Sequence, residues 1–289
     1  MLCGIVLIMG ILYLVATPIG NLEDITARAL RVLREVALIA AEDTRSARNL
    51  LRHFNIATPV TSYFEHSRAT KLDHILDALE RGDVAVISEA GMPGLSDPGY
   101  ELVRAALARA VRVVPIPGAN ALTTALVASG LPTDQFVYLG FLPRQKNARR
   151  ALLQSVARES RTLVAYEAPH RVCAALDDIA AELGDREICV ARELTKLYEE
   201  FFRGTVNAAR DRFAAHAPRG EFTLVIAGCS DPKGFREANP SGLEWDDARV
   251  RDAVNELIAS GAPRTDAVKQ IARASGRDRR AVYALVTRS

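Results

Sequence analysis

The 289-residue chain predicts an α/β fold of two α/β domains followed by a small C-terminal helical domain of helix-turn-helix-like shape. Three observations predict it. Short β-rich apolar runs alternate with helix-period patterns over residues 11–118, the alternation starts again over 119–228, and residues 243–289 carry helical periodicity alone. Strands alternating with helices need crossover connections, so the first sheet is expected to be mostly parallel and covered on both faces.

In the first domain, "LYLVA" starts a strand near Ile11, and "TPIGNLED" leads into a helix whose apolar face is Ile25, Ala29, Val32 or Leu33, and Val36. The strand "ALIAA" follows, then a helix near 45–54 and a helix carrying Leu72, Ile75, Leu76 and Leu79. The strand "VAVI", a helix over 99–109 and "VRVVPIPG" complete the series. The second domain opens with a helix over 119–129, then "FVYLGF", a helix over 147–158, "TLVAY", a helix over 171–183, "ICVAR", "YEEFFRG", a helix after Thr205, and "FTLVIAG". Residues 229–242, "CSDPKGFREANPSG", are polar and punctuated by Pro232, Gly234, Pro240 and Gly242, the composition of a linker. Three helices then follow, broken at "SGAP" and "SGRD", with Ala267, Val268, Ile271 and Ala272 on one apolar face and Val282, Leu285 and Val286 on another.

Composition narrows the function. Lysine and arginine number 37 against 35 acidic residues, a net charge of +2, so any field for nucleic acid is local. From Pro263 to Ser289 seven basic residues face Asp266 and Asp278, a local excess of five that suits phosphates or a solvated cap equally well. Cys3, Cys173, Cys189 and Cys229 stand far apart, which predicts neither a zinc site nor a disulfide framework and suits reducing cytoplasm. The apolar opening "MLCGIVLIMGILYLVA" lacks a basic leading segment and a cleavage pattern, and falls short of the ~20 residues of a spanning helix. No membrane association is expected, and Met9 is the expected start.

Ligands of parallel sheets bind at the carboxyl ends of the strands. Four loops there are rich in small or polar residues: "TPIGN", "AEDTRS", "SEAGMPGLSDPG" and "PGANA". Tight turns would account for any one of them; four in one domain point to a ligand. Neither GxxxxGK[ST] nor GxGxxG occurs there, which argues against a pyrophosphate. Glu89 and Asp97 would repel an anion and suit a cation or a hydroxyl-bearing ligand, and a sulfonium cofactor with an amino acid tail has that polarity.

Taken in order, "LYLVATPIGNLEDIT", "AEDTR", "SEAGMPGLSDPG", "PGANA", "GFLPR", "YEAPHR" and "ARELTK" resemble the small-subunit ribosomal RNA methyltransferase I family, within the tetrapyrrole methylase superfamily. The likeness spans about residues 11–228, and the trailing helices look like the helix-turn-helix unit that often ends its members. The resemblance implies a fold of the tetrapyrrole methylase type and a homodimer. It implies S-adenosylmethionine, bound between the two α/β domains, as methyl donor, and no metal. The implied acceptor is the ribose 2′-hydroxyl of a cytidine in the decoding region of 16S rRNA, free or within the 30S subunit.

Position by position, the resemblance implies cofactor contacts from Pro18, Ile19 and Gly20, from Ser88, Glu89, Ala90 and Gly91, and from Pro117, Gly118, Ala119, Asn120 and Ala121. On the second domain it implies Tyr166, Glu167, Ala191 and Thr223. A 2′-hydroxyl is a poor nucleophile at neutral pH, so a base or charge stabiliser is expected, and Glu42, Asp43, Arg45 and Glu89 are the candidates. Asp43 or Thr44 could instead cap the following helix. His170, Arg171 and Lys196 are further acid-base or phosphate candidates, with capping, packing or solvation as the alternatives. For RNA, "FLPRQKNARR" places Arg144, Lys146, Arg149 and Arg150 at a helix start, and Arg277, Arg279 and Arg280 add to them. Two other readings stay open: methylation of a uroporphyrinogen-type tetrapyrrole, and a nucleic-acid-binding regulator, although "DRRAVYALVTR" offers arginines rather than base-reading amides.

Overall fold

Five strands, β1 (Ile11–Val15), β2 (Leu38–Ala41), β3 (Val60–Ser62), β4 (Val84–Ile87) and β5 (Arg112–Ile116), build a sheet in the order β3-β2-β4-β1-β5 with every pairing parallel. The computed structural model describes residues 10–63, 69–215, 218–230, 246–275 and 277–287, so the proposed start at Met9 and most of the 229–242 linker lie outside the described residues. Alternate side chains of each strand serve opposite faces. Val15, Ile39, Ala85 and Ile87 pack under helices α1 (Ala27–Glu35) and α2 (Thr44–His53), which bury Val32, Leu33 and Leu51. Leu12, Ala40, Val84 and Val86 pack under α3 (Ala69–Leu79) and α4 (Tyr100–Ala108) through Ile75, Leu79, Leu102 and Ala106.

This arrangement fixes where a ligand can sit. The neighbouring strands β1 and β4 leave the sheet in opposite directions, β1 to α1 on one face and β4 to α4 on the other. Their loops diverge and open a crevice at the carboxyl edge, the topological switch point of an open parallel sheet.

The second sheet is mixed. Strands β6 (Phe136–Phe141), β7 (Thr162–Glu167), β8 (Glu187–Arg192), β9 (Glu200–Thr205) and β10 (Phe222–Ile226) run in the order β6-β7-β10-β8-β9, and only β6 and β7 pair in parallel. Helix α5 (Ala121–Ala128), capped by the Asn120 side chain on the Thr123 N–H, packs Leu122, Ala125 and Leu126 on Val164, Cys189, Ala191 and Val225. Helices α6 (Lys146–Ser155), α7 (Val172–Leu183) and α8 (Val206–Ala214) pack in sequence against one another.

Contacts divide the chain into one unit up to Cys229, holding both sheets, and another from Ser230 on. In the second, α9 (Asp247–Ala259), α10 (Arg264–Ser275) and α11 (Arg279–Thr287) bury Val250, Val254, Val268, Ile271, Val282 and Val286. Asp246 caps α9 on the Arg249 N–H, and Asp278 accepts from the N–H groups of Arg280 and Ala281 at the start of α11. Among the described residues, no helix is long and apolar enough to cross a membrane.

Candidate active site

At the switch point the loops after β1 and β4 are stitched together by backbone. The Thr17 N–H donates to Gly91 O at 2.9 Å and the Gly91 N–H returns to Thr17 O at 3.1 Å. Gly91 holds φ +83°, a conformation that L side chains rarely adopt, and a Cβ there would lie 3.4 Å from Ile19 Cγ2. The Ser88 hydroxyl turns back onto Ala90 O and Gly91 O, at 3.4 and 3.3 Å, and braces the loop from behind.

The second sheet supplies the opposite wall. Gly20 presses so closely on residues 194–196 that a Cβ would sit 2.4 Å from Lys196 Cγ and 3.1 Å from Leu194 O, so only glycine lets the two loops meet. Ser96, at φ +63°, shares a 2.7 Å hydrogen bond with the Tyr138 hydroxyl and ties the 88–99 loop to β6. Tyr166 meets Tyr138 and Phe141 edge-on, with centroids at 5.3 and 5.4 Å, and its hydroxyl accepts the Leu122 N–H. Between the walls lies a cleft of about 600 Å³, the size of a cofactor site.

Its lining is rich in carboxylates, with Glu167 and Glu221 on the second-sheet side. Glu42, Glu89 and Asp97 stand on the first-sheet side. The Glu89 N–H donates to Glu42 Oε2 at 3.3 Å, and the Ser46 hydroxyl reaches Glu89 Oε1 at 3.5 Å. Burial, reinforced by the charges of Glu42 and Glu89 and opposed by the Ser88 hydroxyl, pushes the Asp97 carboxyl up to about 7. Lys196 stands opposite. Burial works against its charge, but hydrogen bonds to Glu193 at 2.8 Å and Glu221 at 2.9 Å hold it above the ordinary lysine value. Glu167 is shut off from solvent; burial raises its carboxyl despite the Ala168 N–H and the Arg171 guanidinium on Oε1, and Oε2 has no hydrogen-bond partner among the described residues.

Of the residues expected at the cofactor, Pro18, Ile19, Gly20, Glu89, Ala90 and Gly91 line the cleft from the first sheet, as do Asn120 and Ala121 from the α5 start. Tyr166, Glu167 and Thr223 line it from the second. Ser88 does not; it is the brace just described. Pro117, Gly118 and Ala119 also stay outside the lining, Gly118 being packed against Ala16 where a Cβ would lie 2.9 Å from the alanine methyl. Ala191 is buried in the second-sheet core under α5.

The acid-base candidates separate in the same way. Glu42 and Glu89 face the cleft, whereas Asp43 caps α2 by accepting the Arg45 N–H at 2.7 Å and Arg45 lies exposed outside the lining. Asp43 thus serves the start of α2, and neither Asp43 nor Arg45 is among the residues lining the cleft. His170 is exposed, and Arg171 is spent on Glu167 and Leu142 O. Ser96, Phe141 and Phe222 also line the site and were not anticipated. Phe141 belongs to "GFLPR", a stretch whose composition gives no sign of a cleft-facing ring.

The basic residues need one firm correction. Arg149 is buried, donating through Nε and Nη2 to Asp178 at 2.8 and 2.6 Å and through Nη1 to Pro143 O and Arg144 O, so it organises the "PRQK" turn and cannot meet RNA. Arg150 pairs with Glu182 on α7, and Arg277 pairs with Asp247 on α9. Arg144, Lys146, Arg279 and Arg280 are exposed.

A parallel sheet that opens at its switch point onto a mixed sheet, across a cleft lined by Glu42, Glu89 and Asp97 on one side and by the Lys196–Glu221 ion pair on the other, is the frame of a two-sheet α/β protein that holds a small ligand between its sheets. Residues 11–209 match the family of tetrapyrrole (corrin/porphyrin) methylases. The ribosomal RNA small subunit methyltransferase I of Synechocystis sp. is 49% identical over 281 residues, covering 96% of this chain and 97% of that protein. Its namesake from Halalkalibacterium halodurans is 47% identical over 275 residues, covering 95% and 93%. Among solved structures, a diphthine synthase superposes with a TM-score of 0.56 at 15% identity, over 76% of this chain and 90% of that one. A cobalt precorrin-4 methyltransferase superposes with 0.54 at 15% identity, over 75% and 94%. At such identities the likeness speaks for the fold. The chain belongs to the tetrapyrrole methylase family and, within it, to the family of ribosomal RNA small subunit methyltransferase I, and it is an S-adenosylmethionine-dependent methyltransferase.

The residues present fit that cofactor. The carboxylates of Glu42, Glu89 and Asp97 suit its sulfonium and ammonium charges, and small side chains at Gly20, Ala90, Gly91 and Ala121 leave the backbone approachable.

Proposed function

We propose that this protein methylates the ribose 2′-oxygen of a cytidine in 16S rRNA within the 30S subunit, acting in the cytoplasm as a homodimer. The observation that carries the RNA substrate is the 47–49% identity, over nearly the whole chain, to relatives named for the small-subunit RNA. Phe141 supports it from this chain: it lines the cleft yet is 55% exposed, and it offers a ring face on which a base drawn out of its stack can lie. The acidic wall speaks against a uroporphyrinogen, whose many carboxylates Glu42, Glu89 and Asp97 would repel. Exposed Val127, Leu197 and Tyr198 offer apolar surface to a second copy.

The donor would be held by the loop backbones at 18–20 and 89–91, by Asn120 and Ala121, and by Tyr166. When bound, S-adenosylmethionine supplies a methyl carbon already activated by sulfonium. The chain's own task is to orient the acceptor oxygen in line with that carbon and to keep water out. Purified protein given 30S subunits and methyl-labelled cofactor is expected to label RNA at an alkali-resistant linkage, because a 2′-O-methyl group blocks hydrolysis of the neighbouring phosphodiester. Label confined to a base would refute the ribose assignment.

The C-terminal unit contributes phosphate contacts in this reading. Replacing both Arg279 and Arg280 by alanine is expected to weaken 30S binding about tenfold and to reduce the slope of log affinity against log salt by about one to two, without changing affinity for the cofactor. A filter-binding salt titration in which the slope is unchanged would reduce the unit to a cap.

A further inference from the structure

We infer that helix α2 holds the RNA backbone beside the nucleotide in the cleft, with Arg45, Arg48 and Arg52 on its phosphates. The inference rests on the reading of small-subunit RNA as substrate and adds to it a surface on the first sheet that neither the relatives nor the family match assigns.

Two features of α2 select it. The first is its place: a two-residue connection joins it to β2, and its first turn forms part of the cleft rim, since Glu42 and Ser46 line the cleft and the Ser46 hydroxyl reaches Glu89 Oε1. The second is the division of its faces. Ala47 and Leu51 are buried in the core under the sheet, whereas Arg45, Arg48 and Arg52, spaced by three and four positions, share the exposed face with Asn49. Among the described residues, none of these three arginines pairs with a carboxylate. Several other exposed arginines do, Arg31 with Glu35, Arg161 with Glu159, Arg210 with Asp177 and Arg212 with Glu200.

The cleft's own charge says what such a stripe serves. A base and its ribose are neutral and can enter, but the phosphates on either side are repelled by Glu42, Glu89 and Asp97, so the strand must be held by its phosphates outside the acidic wall. The loops after β1, β4 and β5, residues 16–26, 88–99 and 117–120, contain no lysine or arginine, whereas α2 brings three arginines to the same edge of the sheet. From Arg45 to Arg52 the helix rises about 10 Å, the length of about three phosphates along one strand. Each guanidinium offers a phosphate two parallel N–H donors. Across the cleft, exposed Arg144 and Lys146 follow the lining residue Phe141, so the strand meets cations on both rims with its neutral nucleotide between them.

The test measures binding of the full chain to 30S subunits over a salt series, with calorimetry for S-adenosylmethionine beside it. Replacing Arg45, Arg48 and Arg52 together by alanine is expected to weaken 30S binding on the order of 100-fold at about 0.1 M salt, and to lower the slope of log affinity against log salt by about two to three. Affinity for the cofactor should stay within about twofold, because alanine is the best helix former and the Asp43 cap accepts a backbone N–H that survives the change. Lysine at all three positions should keep the slope within about one of wild type, since the charge remains. Arg112 is also exposed but starts β5, at the opposite edge of the sheet, and Arg112→Ala should change neither quantity.

A triple-alanine variant that binds within threefold of wild type at an unchanged slope overturns the assignment. So does a loss of affinity with the slope intact, which would mark a contact with a protein of the subunit rather than with phosphate, and so does a lysine variant that loses as much as alanine. If wild type itself neither binds nor methylates 30S subunits, the RNA reading fails and this surface with it, whereas an active wild type beside an equally tight variant refutes the surface alone.

Discussion

Arg149→Ala is expected to cost roughly 3–5 kcal/mol of folding stability and to lower the melting midpoint by about 10 °C. The side chains of Arg149 and Asp178 are only 5% and 6% exposed, and both guanidinium contacts go to one carboxylate oxygen. Alanine would leave the Asp178 charge buried without its partner and free the carbonyls of Pro143 and Arg144 that Nη1 now holds. Lysine is a poor replacement because it lacks the planar fork that serves both ends at once. The pair itself need not be strongly stabilising: Arg149→Met combined with Asp178→Leu should recover most of the loss, since two apolar side chains of similar volume bury no charge. Thermal scans of the three variants check this. Unchanged melting of Arg149→Ala, accompanied by weakened 30S binding, would return the residue to the RNA surface.

Arg149 also shows where sequence reasoning stops. A run of four basic residues at a helix start is legible, and two of them, Arg144 and Lys146, are exposed as expected. What is not legible is that Asp178 comes from α7, 29 positions away, because packing between helices leaves no trace in local spacing. The strands had the opposite character. Runs such as "VAVI" and "FTLVI" are buried at every position and stand out from their polar flanks, so β4 and β10 could be read directly. The three-residue β3 could not, being too short for any period to register. The antiparallel pairings of the second sheet were likewise hidden, since alternation of strands and helices reveals crossovers and not the direction in which β8 and β9 return.

The cleft was legible for a different reason. Its first wall is made of backbone, and backbone that must turn tightly or be approached closely advertises itself through glycine and proline. Its second wall is made of side chains, Phe141 and Tyr166 among them, whose composition is that of any core strand. Even on the first wall, residue type did not separate lining from support: Ser88 and Gly91 are three positions apart, and only Gly91 faces the ligand space. The same limit applied to "AEDTR", in which Glu42 faces the cleft while its neighbour Asp43 spends its carboxylate on a helix cap.

That distinction makes Gly91 the sharpest probe of the site. Gly91→Val is expected to weaken S-adenosylmethionine binding by 100-fold or more, measured by calorimetry, while the folded state loses only ~1–3 kcal/mol to backbone strain. At φ +83° any L residue is strained and a β-branched one most of all, yet a Cβ meets nothing closer than 3.4 Å, so the fold can tolerate the change. The valine methyl groups must then occupy cleft volume or displace Ile19, which itself lines the cleft. Gly91→Ala separates the two costs, because it carries the strain without the γ-methyls; about a tenfold loss of affinity is expected, with a similar fall in melting temperature. If the backbone pairing of Thr17 with Gly91 is what shapes the pocket, both variants should lose affinity in proportion to the bulk they add. Valine binding as tightly as wild type would mean that the donor lies elsewhere in the cleft, and the loop at 88–99 would then be a brace between the two sheets and nothing more.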